Sequence, residues 1–75
     1  MKELVEVIAK SLVDDPEQVE VTEIDRNRSI VLELRVAEDD IGKVIGKQGR
    51  IAKAMRSVLK AAAAKEEKRV ILDIV

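Results

Sequence analysis

Six stretches of the chain space their apolar residues regularly, and the period changes from one stretch to the next. Over residues 2–13, Val5, Ile8, Ala9 and Leu12 recur three and four residues apart, as they do on one face of a helix. Asp14-Asp15-Pro16 stops that helix, because proline has no amide hydrogen and drives the residue before it out of the helical region. Val19 to Ile24 is rich in β-branched residues and predicts a strand. Asp25-Arg26-Asn27-Arg28 predicts a turn, since Asp and Asn hydrogen-bond their own backbone. Ile30, Leu32, Leu34 and Val36 then alternate with Val31, Glu33 and Arg35, which predicts a strand with one buried face.

Glu38-Asp39-Asp40 places acids in the first turn of a second helix, where the macrodipole favours negative charge, and Ile41, Val44 and Ile45 form its apolar side. Gly46 ends it. In a third helix, Ile51, Ala54, Met55, Val58, Leu59 and Ala62 make one stripe, with Arg50, Lys53, Arg56 and Lys60 on the other face. Val70 to Val75 closes the chain as a strand. The order α-β-β-α-α-β describes an α+β fold. Two helices between the second and third strands require a crossover, so those strands are parallel neighbours and the first pair is antiparallel. The result is a three-stranded mixed sheet with helices on one face. Its other face carries Glu33, Arg35 and Asp73, but also Val31, Ile71 and Val75, a hint of a partner surface.

With 75 residues, the chain makes one domain, residues 1–75, which buries only about 60% of its unfolded surface. It has no cysteine and no histidine, which excludes disulfides and a Cys/His zinc cluster. Its acids lie away from the glycines, so no nucleophile is paired with a base. Gly42-x-x-x-Gly46-Lys47 falls one residue short of a phosphate-binding P-loop, and Gln48 stands where Ser or Thr would hold magnesium. We expect neither an enzyme nor a cofactor nor a small-molecule substrate. Met1 leads directly into a charged amphipathic segment, with no apolar run of leader or membrane length, so a cytoplasmic protein without a membrane partner is expected.

Net charge is −1, but its distribution is uneven. Residues 1–25 carry −6, residues 26–40 carry −1, residues 41–65 carry +7 without one acid, and residues 66–75 carry −1. Local fields govern anion binding, so the basic block matters more than the total. At its centre, Gly46 and Gly49 bracket Lys47 and Gln48. Neither glycine has a Cβ and both can take positive φ, so such a loop can bring a phosphate backbone against its main chain. That suits a backbone clamp for single-stranded nucleic acid. Arg50 and Lys53, in the first turn of the third helix, are placed to meet phosphate beside the helix's own amide donors.

The run Ile41-Gly42-Lys43-Val44-Ile45-Gly46-Lys47-Gln48-Gly49-Arg50-Ile51 resembles the V-I-G-x-x-G-x-x-I core of KH domains, and the element order is similar to their type II arrangement. The whole chain resembles the small bacterial single-KH proteins of the KhpA type. That resemblance implies an RNA chaperone in the cytoplasm, acting in post-transcriptional control of cell elongation and cell-wall growth. The implied partners are single-stranded RNA and either a second copy or a larger KH-containing protein of the Jag type. It also assigns residues. Gly46, Lys47, Gln48 and Gly49 would be the clamp, flanked by Lys43, Arg50 and Lys53. Ile41, Val44, Ile45 and Ile51 would floor a groove under the bases, with the second strand and the Arg26 to Arg28 turn as the opposite wall.

The rival reading is a KH-like interaction module that no longer binds RNA, and Lys47 and Gln48 in an acid-free loop argue against it. The absence of Phe, Tyr and Trp excludes aromatic stacking platforms and implies weak binding. Dimerisation would recover strength through effective concentration. The third helix with its Ala61 to Ala64 run is the first choice of surface, and the outer sheet the second.

Overall fold

Leu32 and Leu34, in the middle of the most regular alternation, have no exposed surface at all, and the rest of the fold is arranged around them. The computed structural model describes residues 1–75 throughout. Its elements are α1 (Lys2–Leu12), β1 (Glu20–Arg26), β2 (Ser29–Arg35), α2 (Ile41–Ile45), α3 (Arg50–Ala63) and β3 (Arg69–Ile74), with single 3-10 turns between some of them. The order is the α-β-β-α-α-β expected for a KH domain. No helix is long and apolar enough to cross a membrane.

The sheet runs β1-β2-β3, antiparallel between the first pair and parallel between the second. Val21 lies opposite Leu34, and Leu72 lies beside Leu32, so the buried residues of the three strands share one face. Val5 and Ala9 of α1, Val44 of α2, and Met55 and Leu59 of α3 close over that face to complete the core. Ile24, Val31 and Ile71 form a row across the opposite, uncovered face. Burying a residue such as Leu59 contributes on the order of 2 kcal/mol, and with no disulfide this core alone sustains the domain.

Two apolar stripes are turned from where the periodicity puts them. The buried residues of α3 are Ala52, Met55, Leu59 and Ala63, whereas Ala54, Ala62 and 46%-exposed Val58 face outward. Ala52 and Ala63 are buried with Met55 and Leu59, and bulkier Val58 stands in a groove against α1. In α2, Val44 is fully buried while Ile45 is 37% exposed.

Candidate nucleic-acid interface

The loop between α2 and α3 is shaped by its first glycine. The Gly46 amide donates to the Gly42 carbonyl at 2.9 Å, and its backbone then turns to φ +78°, ψ 173°, a region almost closed to other residues. A Cβ on Gly46 would stand 2.6 Å from Cγ1 of Ile51, so half-buried Ile51 is the platform on which the loop rests. The Gly49 amide closes the turn on the Gly46 carbonyl at 3.1 Å. Gln48 is held at φ +57° and Gly49 at φ +74°. Lys47 and Gln48 therefore project from the tip, both exposed. No side chain caps the start of α3, whose first amide, that of Arg50, donates to the Lys47 carbonyl of the preceding turn.

Arg50 and Lys53 are exposed on the first turn of α3, beside the loop. The other expected site residues divide. Val44 has no exposed surface and cannot touch a ligand, so it supports the loop from within the core. Ile41 and Ile51 are half-buried against that core, which leaves Ile45 as the most open of the four aliphatic positions.

Lys43 is directed elsewhere. Its ammonium pairs with Asp14 and, at 3.3 Å, with Asp40. The hydrogen bond to Asp14 raises its pKa above the ordinary lysine value against the opposing effect of burial, and Asp40 adds to the rise. Asp40, only 2% exposed, also accepts the amides of Asp14 at 3.3 Å and Asp15 at 3.1 Å. Burial disfavours its charge, but these amides and Lys43 outweigh it and hold the carboxyl below the usual aspartate range. The sequence placed Asp40 in the first turn of the second helix, favoured there by the macrodipole. It is instead the latch joining the end of α1 to the start of α2.

Arg26 and Arg28 lie far from the loop. Their turn adjoins the start of β3, where the Arg69 amide donates to the Arg28 carbonyl at 3.0 Å and Lys68 pairs with Asp25 at 2.8 Å. That is the end of the sheet reached by the C-terminus of α3, whereas the glycine loop sits at its N-terminus. A fourteen-residue helix separates them, about 20 Å. Nor can β2 wall a groove, because it is the central strand with neighbours on both sides.

The strand that borders α3 is the edge strand, β3. Between them lies an open cleft of about 580 Å³ lined by Arg56, Lys60, Lys68 and Arg69 with Val70, Ile71 and Leu72. Arg56 donates to the Leu72 carbonyl at 3.0 Å. The Asp25 hydrogen bond raises the pKa of Lys68 above the ordinary value, against burial. The sequence placed Lys60 only on the basic face of the third helix, and the one signal pointing to the cleft was the pairing of that face with the basic start of an edge strand. On the other side of α3, Ile8, Leu12, Ile51, Ala54, Met55 and Val58 line an apolar groove of about 310 Å³ against α1, with Arg50 at its rim.

The family model described as KhpA/KhpB, KH domain, matches residues 2–74. A protein of Clostridium perfringens named RNA-binding protein KhpA is 65% identical over 75 residues, the whole of both chains. One of that name from Caldanaerobacter subterraneus subsp. tengcongensis is 63% identical over 75 residues, again the whole of both. Another from Aquifex aeolicus is 53% identical over 74 residues, 99% of this chain and 94% of its own. No solved structure matches the chain significantly.

Proposed function

The chain belongs to the KhpA/KhpB family of KH-domain proteins, and on that premise we propose that it binds single-stranded RNA, clamping about four nucleotides over Gly46-Lys47-Gln48-Gly49. The observation that carries this is the seat of Gly46 on Ile51, which forces the loop outward and presents Lys47 and Gln48 at its tip. A sugar-phosphate backbone can then run across the main chain of both glycines. Lys47, Arg50 and Lys53 neutralise its phosphates, beside the positive end of the α3 dipole. Ile45, with Ile41 and Ile51 beneath it, gives the bases an aliphatic surface.

A single clamp without aromatic stacking is weak, which suits an RNA chaperone that must release its substrate. Under this reading the protein acts in the cytoplasm in post-transcriptional regulation, extending to cell elongation and cell-wall growth. It pairs with a second copy, with a larger KH-containing protein of the Jag type, or with both. The apolar groove between α1 and α3 is the surface that favours pairing through the third helix.

The direct test is the double substitution Lys47→Asp with Gln48→Asp. Both side chains are exposed, so new carboxylates repel phosphate without touching the core. Filter binding with single-stranded RNA is expected to lose all signal while the far-ultraviolet circular dichroism is unchanged. Retained affinity in a folded variant would count against the clamp, whereas a wild type that binds no RNA would leave the interaction-module reading standing.

A further inference from the structure

α2 carries the glycine loop, yet its own packing holds it weakly. Its five residues rise only about 7.5 Å, far too few to stand as a helix without support. Val44 is its single fully buried side chain. One buried anchor leaves a short rigid turn free to pivot, so the direction of α2, and of the loop that leaves its end, is set by what holds its two termini. At the C-terminus, Gly46 seats on Ile51. At the N-terminus, the holder is the Asp40 latch.

Asp40 immediately precedes α2, and both of its carboxylate oxygens are engaged, one by the Asp14 amide and the other by that of Asp15. Lys43, within the first turn of α2, reaches back to the same place and pairs with Asp14 and Asp40. Asp14 and Asp15 follow directly on α1, whose Val5 and Ala9 have no exposed surface, so α2 is tied to an element rooted in the core. The tie is carried on to the loop, because the Gly46 amide is bonded to the carbonyl of Gly42 inside the tied segment. Asp40 and Lys43 therefore bear on the loop without standing in it.

We propose that Asp40 and Lys43 are positioning residues for RNA binding: they hold α2 against the end of α1 and so aim the main chain of Gly46 to Gly49 at the strand, with Lys43 acting through α2 and not as a phosphate contact. The inference rests on the clamp reading and adds the residues outside the loop that set its direction.

Asp14→Asn and Lys43→Met test this at side chains that are 83% and 42% exposed, so neither change disturbs the core. The sign of the Asp14 effect decides. Removing an exposed acid ordinarily favours RNA by relieving repulsion, and would favour it further if the freed Lys43 took a phosphate. Under the proposal Asp14→Asn instead weakens binding of a uridine octamer, followed by fluorescence anisotropy, by roughly three- to tenfold, and Lys43→Met does the same. Lys43→Met should leave the slope of log K against log salt unchanged, whereas loss of a phosphate contact would reduce it by about 0.7. Lys43→Arg, which keeps the charge and the reach to both carboxylates, should restore binding. In the RNA-free variants Asp14→Asn and Lys43→Met, hydrogen exchange of the Gly46 and Gly49 amides should quicken more than that of the central-strand amides of β2.

A wild type that binds the octamer, beside an Asp14→Asn protein that binds as tightly or more tightly, would overturn the proposal and leave the clamp standing. A Lys43→Met loss that comes with a reduced salt slope would overturn it too, making Lys43 a phosphate contact. So would unchanged loop exchange in the free variants, or a Lys43→Arg protein no better than Lys43→Met. Failure of wild type to bind the octamer would remove the clamp reading and this one together.

Discussion

Gly42 and Gly46 sit four residues apart in the same short segment, yet the structure gives them opposite roles. Gly46 needs a positive φ, and a Cβ there would press on Ile51 at 2.6 Å. Gly42 is exposed within α2, and a Cβ would meet nothing within 4 Å. Gly46→Ala should therefore cost on the order of 1–3 kcal/mol of backbone strain, with the Ile51 contact added to it. Gly42→Ala should stabilise by about 0.5–1 kcal/mol, since alanine favours the helix and restricts the unfolded chain. Urea unfolding of the two variants checks this contrast, and equal effects would contradict the loop geometry. The loop itself was legible in the sequence because glycine spacing states a backbone requirement. The roles of Val44 and Ile45 were not legible. α2 has five residues, little more than one turn, and so short a helix has no period from which to tell an inward apolar residue from an outward one.

At the scale of elements, the order of helices and strands could be read from the sequence because each long element repeats its period several times. The crossover argument likewise placed β2 beside β3, but its consequence, that a central strand has no free edge to wall a groove, was not drawn. The roll of α3 was hidden for a different reason. Alanines satisfy the apolar pattern on either side, and only tertiary packing selects Ala52 and Ala63 for burial.

The Asp40 latch was invisible because its partners at Asp14 and Asp15 lie twenty-six and twenty-five residues away in sequence. It predicts a pH response. A carboxyl whose folded pKa is depressed stabilises the fold above the unfolded value of about 3.9, and that contribution is lost as pH falls through the folded value. Lys43, with its pKa raised, adds stability that is complete below about pH 10.4 and lost only at higher alkaline pH. Thermal melting temperature should therefore hold near neutrality and drop below about pH 4. Asp40→Asn should melt lower at pH 7 and show a flatter acid limb. An acid limb identical to wild type would mean that other carboxylates control the transition.

The whole molecule is electrically divided, with −6 over the first twenty-five residues and +7 over residues 41–65. The apolar groove between α1 and α3 has the basic helix on one side and a balanced one on the other, where Glu3 and Glu6 offset Lys2 and Lys10. A second copy related by a two-fold axis in that groove would set α1 of each protomer against α3 of the other, with Val58 near the contact. A stable interface covers roughly 800 Å² per partner, a substantial share of the 5266 Å² surface, so a micromolar and not a permanent dimer is expected. Ala61 and Ala62, also exposed on α3, extend the same contact by permitting close approach. Val58→Glu changes one 46%-exposed side chain and keeps a good helix former, so the fold should survive while the dimer separates in sedimentation equilibrium. Because each protomer keeps its glycine loop, affinity for a short oligonucleotide should be unchanged, and affinity for a long RNA should fall as the second clamp is lost. A wild-type monomer well above micromolar concentration would refute the pairing. A dimer that persists in Val58→Glu would move the contact to the uncovered face of the sheet, where Ile24, Val31 and Ile71 form the remaining apolar row.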